Sequence, residues 1–139
     1  MREARERRGL TAEEVASQVG LSAPWYHDLE AYPDEVFSTV SLAQLQALGR
    51  TLGLEPATIL AGDGAPPIDR REFGDVARGL QRRMDVEGLD ADTLGERLGW
   101  KIRDVLTDPQ ILWNFNVTGL RDLCEAAGLD WLAVLPGLP

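Results

Sequence analysis

Residues 9–30, GLTAEEVASQVGLSAPWYHDLE, decide how this chain folds. Thr11 and Glu14 have the spacing of a capping box, in which each side chain satisfies a backbone donor at a helix start. Val15, Ala16 and Val19 follow as an apolar stripe at three- and four-residue intervals, and Gly20 closes it. Ser22 is placed to cap a second helix. Pro24 is tolerated in that helix's first turn, where an N–H has no helical partner to lose. Tyr26 and Leu29 then face inward. The stretch predicts two short helices joined by a tight corner. The leading part of the second helix, SAPWYHD at 22–28, holds an acid, a proline and no Arg, Lys, Gln or Asn.

Working outward, Ser41 and Gln44 make a second capping box. Leu42, Leu45, Leu48 and Leu52 recur at helical spacing until Gly53, and Pro56 opens a short last helix with Ile59 and Leu60. Residues 31–37, AYPDEVF, have the composition of an acidic loop. Residues 1–60 therefore predict a domain of five helices. After it comes AGDGAPPID, residues 61–69, whose two Gly and two consecutive Pro suit an exposed connector.

The pattern then returns. RGLTAEEVASQVGL lies over EGLDADTLGERLGW at an offset of 79, matching Gly9 to Gly88, Leu10 to Leu89, Val15 to Leu94, Val19 to Leu98 and Gly20 to Gly99. LQALGRTLGLEPATILAG lies over LRDLCEAAGLDWLAVLPG at an offset of 75, matching Leu45 to Leu120, Leu48 to Leu123 and Gly53 to Gly128. The four-residue difference is expected between Glu30 and Ser41. Asp90, Asn116 and Asp130 are the expected caps of the second block, and its first helix is expected at about Arg70–Val86. The expected architecture is all-α: two tandem five-helix units, residues 1–60 and 70–139, joined by the Gly/Pro linker 61–69.

The framework of residues 1–60 resembles the phage-repressor-like (lambda repressor/Cro, Xre-type) helix-turn-helix domain of bacterial regulators. The resemblance rests on the capped second helix, Ala16, Gly20-Leu21-Ser22, Glu30 and the leucine helix. A weaker copy covers about 73–135. The resemblance implies that helix three, about Ala23–Glu30, enters the major groove of DNA, and that the start of helix two meets phosphate through its N–H groups. The family usually places glutamine just after the helix-two cap; this chain has Ala12 there, and Ala91 in the second copy. Trp100 stands where a small apolar residue is usual at the corner after Gly99.

The candidate DNA-binding residues are Arg2, Arg5, Arg8, Thr11, Ser22, Ala23, Trp25 and His27 in the first block, and Arg82, Arg83, Lys101 and Arg103 in the second. Trp25 suits a thymine methyl, His27 can donate, and Arg103 is best typed for guanine. Asp28 would repel phosphate. In tandem, the blocks would present one helix each to successive major grooves about 34 Å apart, as a monomeric pseudo-dimer or within a homodimer.

Composition pulls the other way. The 139 residues carry a net charge of −9. Residues 1–60 balance at −4 and residues 70–139 at −3, so neither block is basic. Phosphate binding is driven by counterion release to basic groups, which an acidic surface opposes. A protein-interaction role, as antirepressor or accessory subunit with weak or no DNA binding, is the alternative. With 44% hydrophobic residues a buried core is expected, and no apolar run reaches the roughly 18 residues of a membrane span. MREARERRGL lacks the apolar stretch of a secretory signal. A single cysteine, Cys124, expected to be buried, suits a reducing cytoplasm. His27 is the only histidine, so neither a metal cluster nor a two-histidine dyad is expected, and no cofactor is implied. No phosphate loop or nucleophile elbow occurs, so no enzymatic role is expected. Of four tryptophans, Trp113 and Trp131 are expected in the core, and Trp25 or Trp100 on the surface for a partner.

Overall fold

Helices start and stop at their capping residues in the computed structural model, which describes residues 1–62 and 69–137. The first are α1 (Arg2–Arg7), α2 (Ala12–Val19) and α3 (Ala23–Ala31). Thr11 Oγ1 accepts the Glu14 N–H at 3.1 Å while Glu14 Oε2 accepts the Thr11 N–H at 2.7 Å, so the capping box of α2 forms in both directions. Gly20 ends α2 at φ 75°, in the left-handed region that costs a side chain energy, and Ser22 Oγ accepts the Trp25 N–H to start α3.

The acidic segment after α3 departs from expectation. Residues 31–37 are not an open loop: Pro33–Glu35 forms a 3-10 turn that runs into a further helix, α4 (Val36–Thr39). Val36 and Val40 are fully buried, and this burial pins the segment despite its acids. Thr39 Oγ1 donates to Glu35 O at 2.7 Å, closing the turn. Then come α5 (Leu42–Leu52), capped by Ser41 and Gln44, and α6 (Pro56–Ala61). Six α-helices and one 3-10 turn thus lie in residues 1–62, where five helices were expected. Val15, Tyr26, Leu29, Leu45 and Leu48 form the centre of this core, each with no exposed surface.

The chain divides by its contacts into two units, Met1–Pro67 with Pro136–Pro139, called unit one, and Ile68–Leu135, unit two. Of the expected linker, Ala61 instead closes α6, and residues 63–68 lie outside the described residues.

Unit two contains α7 (Phe73–Glu87), α8 (Ala91–Leu98), α9 (Ile102–Thr107), a 3-10 segment (Pro109–Asn114), α10 (Val117–Ala127) and α11 (Trp131–Val134). Asp90, Asn116 and Asp130 cap α8, α10 and α11. α7 begins three residues later than expected, where Asp75 Oδ2 accepts the Glu72 N–H at 2.9 Å. The four-residue difference between the blocks is also placed differently. α3 has nine residues and α9 six, and Pro33 and Pro109 each open the following 3-10 segment. Three of the four residues are therefore missing from the helix itself. Trp113 and Trp131 are only half-buried: Trp113 packs edge-on to Phe73 at 5.2 Å, and Arg121 lies 5.6 Å over Trp131. Among the described residues all regular structure is helical, and no helix is long and apolar enough to cross a membrane.

Candidate nucleic-acid interface

In unit one the corner is made by α2, the turn Gly20–Ser22 and α3. Leu21 N–H donates to Ala16 O at 2.9 Å, so the turn folds against α2, where Ala16 is almost wholly buried. The outward face of α3 presents Pro24, His27, Asp28 and Ala31, with Trp25 and Ala23 half-buried. Thr11 and Ser22 serve as caps. The first turn of α2 exposes Glu13 and Glu14, at the helix end whose partial positive charge would otherwise favour an anion. Hydrogen-bonding chemistry toward a base edge therefore comes from His27, the Trp25 indole and the Asp28 carboxylate.

Arg5 is not part of that face. Its Nε and Nη2 donate to the two oxygens of Glu30 at 2.8 and 3.1 Å, and its Nη1 donates to Leu10 O at 3.1 Å. The Arg5 side chain is 14% exposed and that of Glu30 1%, so this is a buried, two-pronged ion pair tying α1 to the end of α3. Burial alone would raise the Glu30 carboxyl; hydrogen bonding from Arg5 in particular, with Tyr26 and Arg2 beside it, overcomes this and holds it at about 2. The same pair holds Arg5 firmly protonated. The Tyr26 hydroxyl is buried, and its ionisation is pushed up by burial and by Glu30. Arg2, largely exposed, also reaches Glu30 at 3.3 Å. The expected phosphate role of Arg5 thus yields to a structural one, since its donors are spent inside the fold. Arg8 is exposed and lies over Gly53 at the end of α5, beside Arg50, Gln18 and Thr51.

In unit two the corner is α8, Gly99 and α9. Here the turn comes closer: a Cβ on Gly95 would stand 2.7 Å from the Trp100 carbonyl oxygen. Trp100 does not project as a contact residue. Its ring covers Gly119 and stacks on Phe115 at 5.2 Å, and its indole N–H donates to Asp122 at 3.0 Å. Arg103 donates through Nε at 3.3 Å and Nη2 at 2.7 Å to the two oxygens of Asp92 on α8, an exposed pair that raises the guanidinium's proton affinity. A cleft of about 500 Å³ lies at this corner between α8 and α9, with Lys101 and Arg103 facing Asp92, Glu96 and Asp104 across it.

Among the expected residues, Thr11, Ser22, Ala23, Trp25 and His27 come together on α2 and α3, and Lys101 with Arg103 on the α8–α9 corner. Arg82 and Arg83 do not join the latter. Both lie on α7, where Arg83 donates to Glu87 at 2.8 Å and toward Ala126 O at 3.5 Å. The Arg103–Asp92 and Trp100–Asp122 pairs were not anticipated, because nothing in their spacing of 11 and 22 residues marks them. Cys124 is buried, and burial, with Asp130, pushes its thiol up to about 12, which leaves it unreactive at neutral pH.

A capped helix, a left-handed glycine corner and a second capped helix define a helix-turn-helix. Residues 1–61 match a family model described as a helix-turn-helix domain. No curated protein and no solved structure matches the chain.

Proposed function

We propose that this protein is a cytoplasmic transcriptional regulator of the phage-repressor-like, Xre type that binds duplex DNA without enzymatic activity. The observation carrying this reading is the α2–Gly20–α3 corner within the segment matched as a helix-turn-helix domain. In this reading α3 lies in the major groove, Trp25 meets a thymine methyl and His27 donates to an acceptor on a base edge. Unit two is a divergent second copy. In support, Gly9 and Gly88 share a φ of 65°, Gly20 and Gly99 have 75° and 74°, and Gly53 and Gly128 have 67° and 71°. Six glycines at the two sequence offsets thus adopt the left-handed conformation; five of them close their helices, and Gly9 follows Arg8, which closes α1. One chain then presents two related corners, as a pseudo-dimer.

A second reading is favoured by a specific observation. The outward faces of both corners carry acids: Glu13, Glu14 and Asp28 in unit one, and Asp92, Glu96 and Asp104 in unit two. In that reading α3 binds a protein, and DNA binds weakly or not at all.

Fluorescence anisotropy with a labelled duplex, from 20 mM salt upward, separates the two. The DNA reading expects binding with a negative salt slope, and a His27→Ala variant that loses about 1–3 kcal/mol of discrimination between preferred and random duplex. Absence of duplex binding at low salt sinks it, and leaves the protein-binding reading to be tested by recovery of a partner dependent on Asp28.

A further inference from the structure

The basic groups of unit two are concentrated away from its helix-turn-helix corner. A cleft of about 550 Å³ runs along α7, lined by Arg71, Asp75, Arg78, Gln81, Arg82 and Leu129. Three guanidiniums face one carboxylate there, in a chain whose total charge is −9. That carboxylate is already engaged: Asp75 accepts the Glu72 N–H at 2.9 Å and Arg78 Nη2 at 2.6 Å, which lower its proton affinity and leave the cleft positive. Arg71 and Arg82 are exposed and make no ion pair among the described residues. Arg78 and Arg82 are four residues apart on one helix face, displaced by about 6 Å along the axis. The corner of the same unit offers Arg103, already paired with Asp92, and Lys101 amid acids.

We infer that the α7 cleft, through Arg71 and Arg82 on either side of the Arg78–Asp75 pair, is the surface on which unit two holds the phosphate backbone of duplex DNA; this rests on the DNA-binding reading above. A guanidinium fork fits phosphate and carboxylate alike, so an acidic peptide is the competing occupant. The cleft's composition decides between them. Leu129 is its one apolar side chain, whereas protein interfaces are anchored by buried aromatic or aliphatic groups. Backbone phosphate binding runs on charge and needs no such anchor. The contact carries no sequence information: it adds affinity and orientation, and leaves base discrimination to α3.

The test uses the full chain and the double variant Arg71→Ala/Arg82→Ala. Both positions are exposed and outside ion pairs, and a thermal melt matching the wild type verifies the fold. Binding to a labelled random duplex is followed across salt concentrations. The expected result is a salt slope reduced in magnitude by about 2, with affinity lowered roughly tenfold per removed contact at 0.1 M salt, equally for any duplex sequence. If the wild type binds duplex and the variant keeps the full slope, the cleft assignment fails and the DNA reading stands. If the wild type binds no duplex, the DNA reading fails and takes the assignment with it. Binding of poly-glutamate by the wild type, lost in the variant and without duplex binding, overturns the assignment in favour of an acidic protein partner.

Discussion

Glu30 shows how one residue changes the meaning of another. Its burial is tolerable only because Arg5 answers it with two hydrogen bonds, and Arg5 thereby leaves the surface. Removing one partner of a buried pair strands the other, so Glu30→Ala or Arg5→Ala should cost about 3–5 kcal/mol. The pH dependence follows from the direction of the shift. The folded state holds Glu30 at about 2, below its ordinary 4.5, so its contribution is complete above about pH 5 and fades as pH falls from 4.5 to 2. Urea melts of wild type and Glu30→Gln across pH 2–6 should therefore converge toward pH 2, with the largest gap at the high end. A gap that stays constant over this range would show that the carboxylate charge is not what stabilises the pair. The sequence marked Glu30 as part of a resemblance and Arg5 as a phosphate candidate. Nothing in a separation of 25 residues announced that they face each other.

At the scale of the element, the two corners solve one packing problem with different parts. In unit one Ala16 lies under the turn; in unit two Gly95 does, and the Trp100 carbonyl sits where a Cβ would stand. Gly95→Ala should force α9 away from α8, destabilising unit two by about 1–3 kcal/mol, although alanine is the better helix former. Ala16→Gly in unit one should cost about 1 kcal/mol, chiefly through helix propensity. A Gly95→Ala melt at or above wild type would refute the close approach. Trp100 and Gly119 form a second matched pair, since the indole occupies the space any side chain at 119 would need. Trp100→Leu should cost about 2–4 kcal/mol by opening a cavity. Adding Gly119→Ala to it should recover about 1 kcal/mol, whereas Gly119→Ala alone should destabilise. A double-mutant cycle that proved additive would show that the two do not touch. Helix ends were legible here because caps act within three or four residues; Gly95 was not, because its constraint comes from the backbone of the following turn.

For the whole molecule, charge is the dominant quantity. A net charge of −9 with both blocks negative means self-repulsion in the folded state, and salt screens it. Raising NaCl from 10 to 500 mM should therefore raise Tm; a fall would mean that ion pairs such as Arg5–Glu30 outweigh the repulsion. The all-helical class, the starts of α2, α3, α5, α8, α10 and α11, and the glycines that end helices were legible in the sequence. Each depends on groups a few residues apart, so composition and spacing determine them. The sequence did not reveal the helix hidden in AYPDEVF, which Val36 and Val40 create by reaching the core, nor the shortening of α9. Nor did it tell which basic groups remain available. Arg5 is turned inward to Glu30, Arg103 is held by Asp92, Arg83 by Glu87 and Arg78 by Asp75, while Arg71 and Arg82 lie along α7 outside any ion pair among the described residues. The local sequence determines where a helix begins and ends, because its caps and apolar stripe are close along the chain. Only the tertiary structure decides which charges meet, because an ion pair is chosen by distance in space, and packing brings together residues that sequence spacing leaves unrelated.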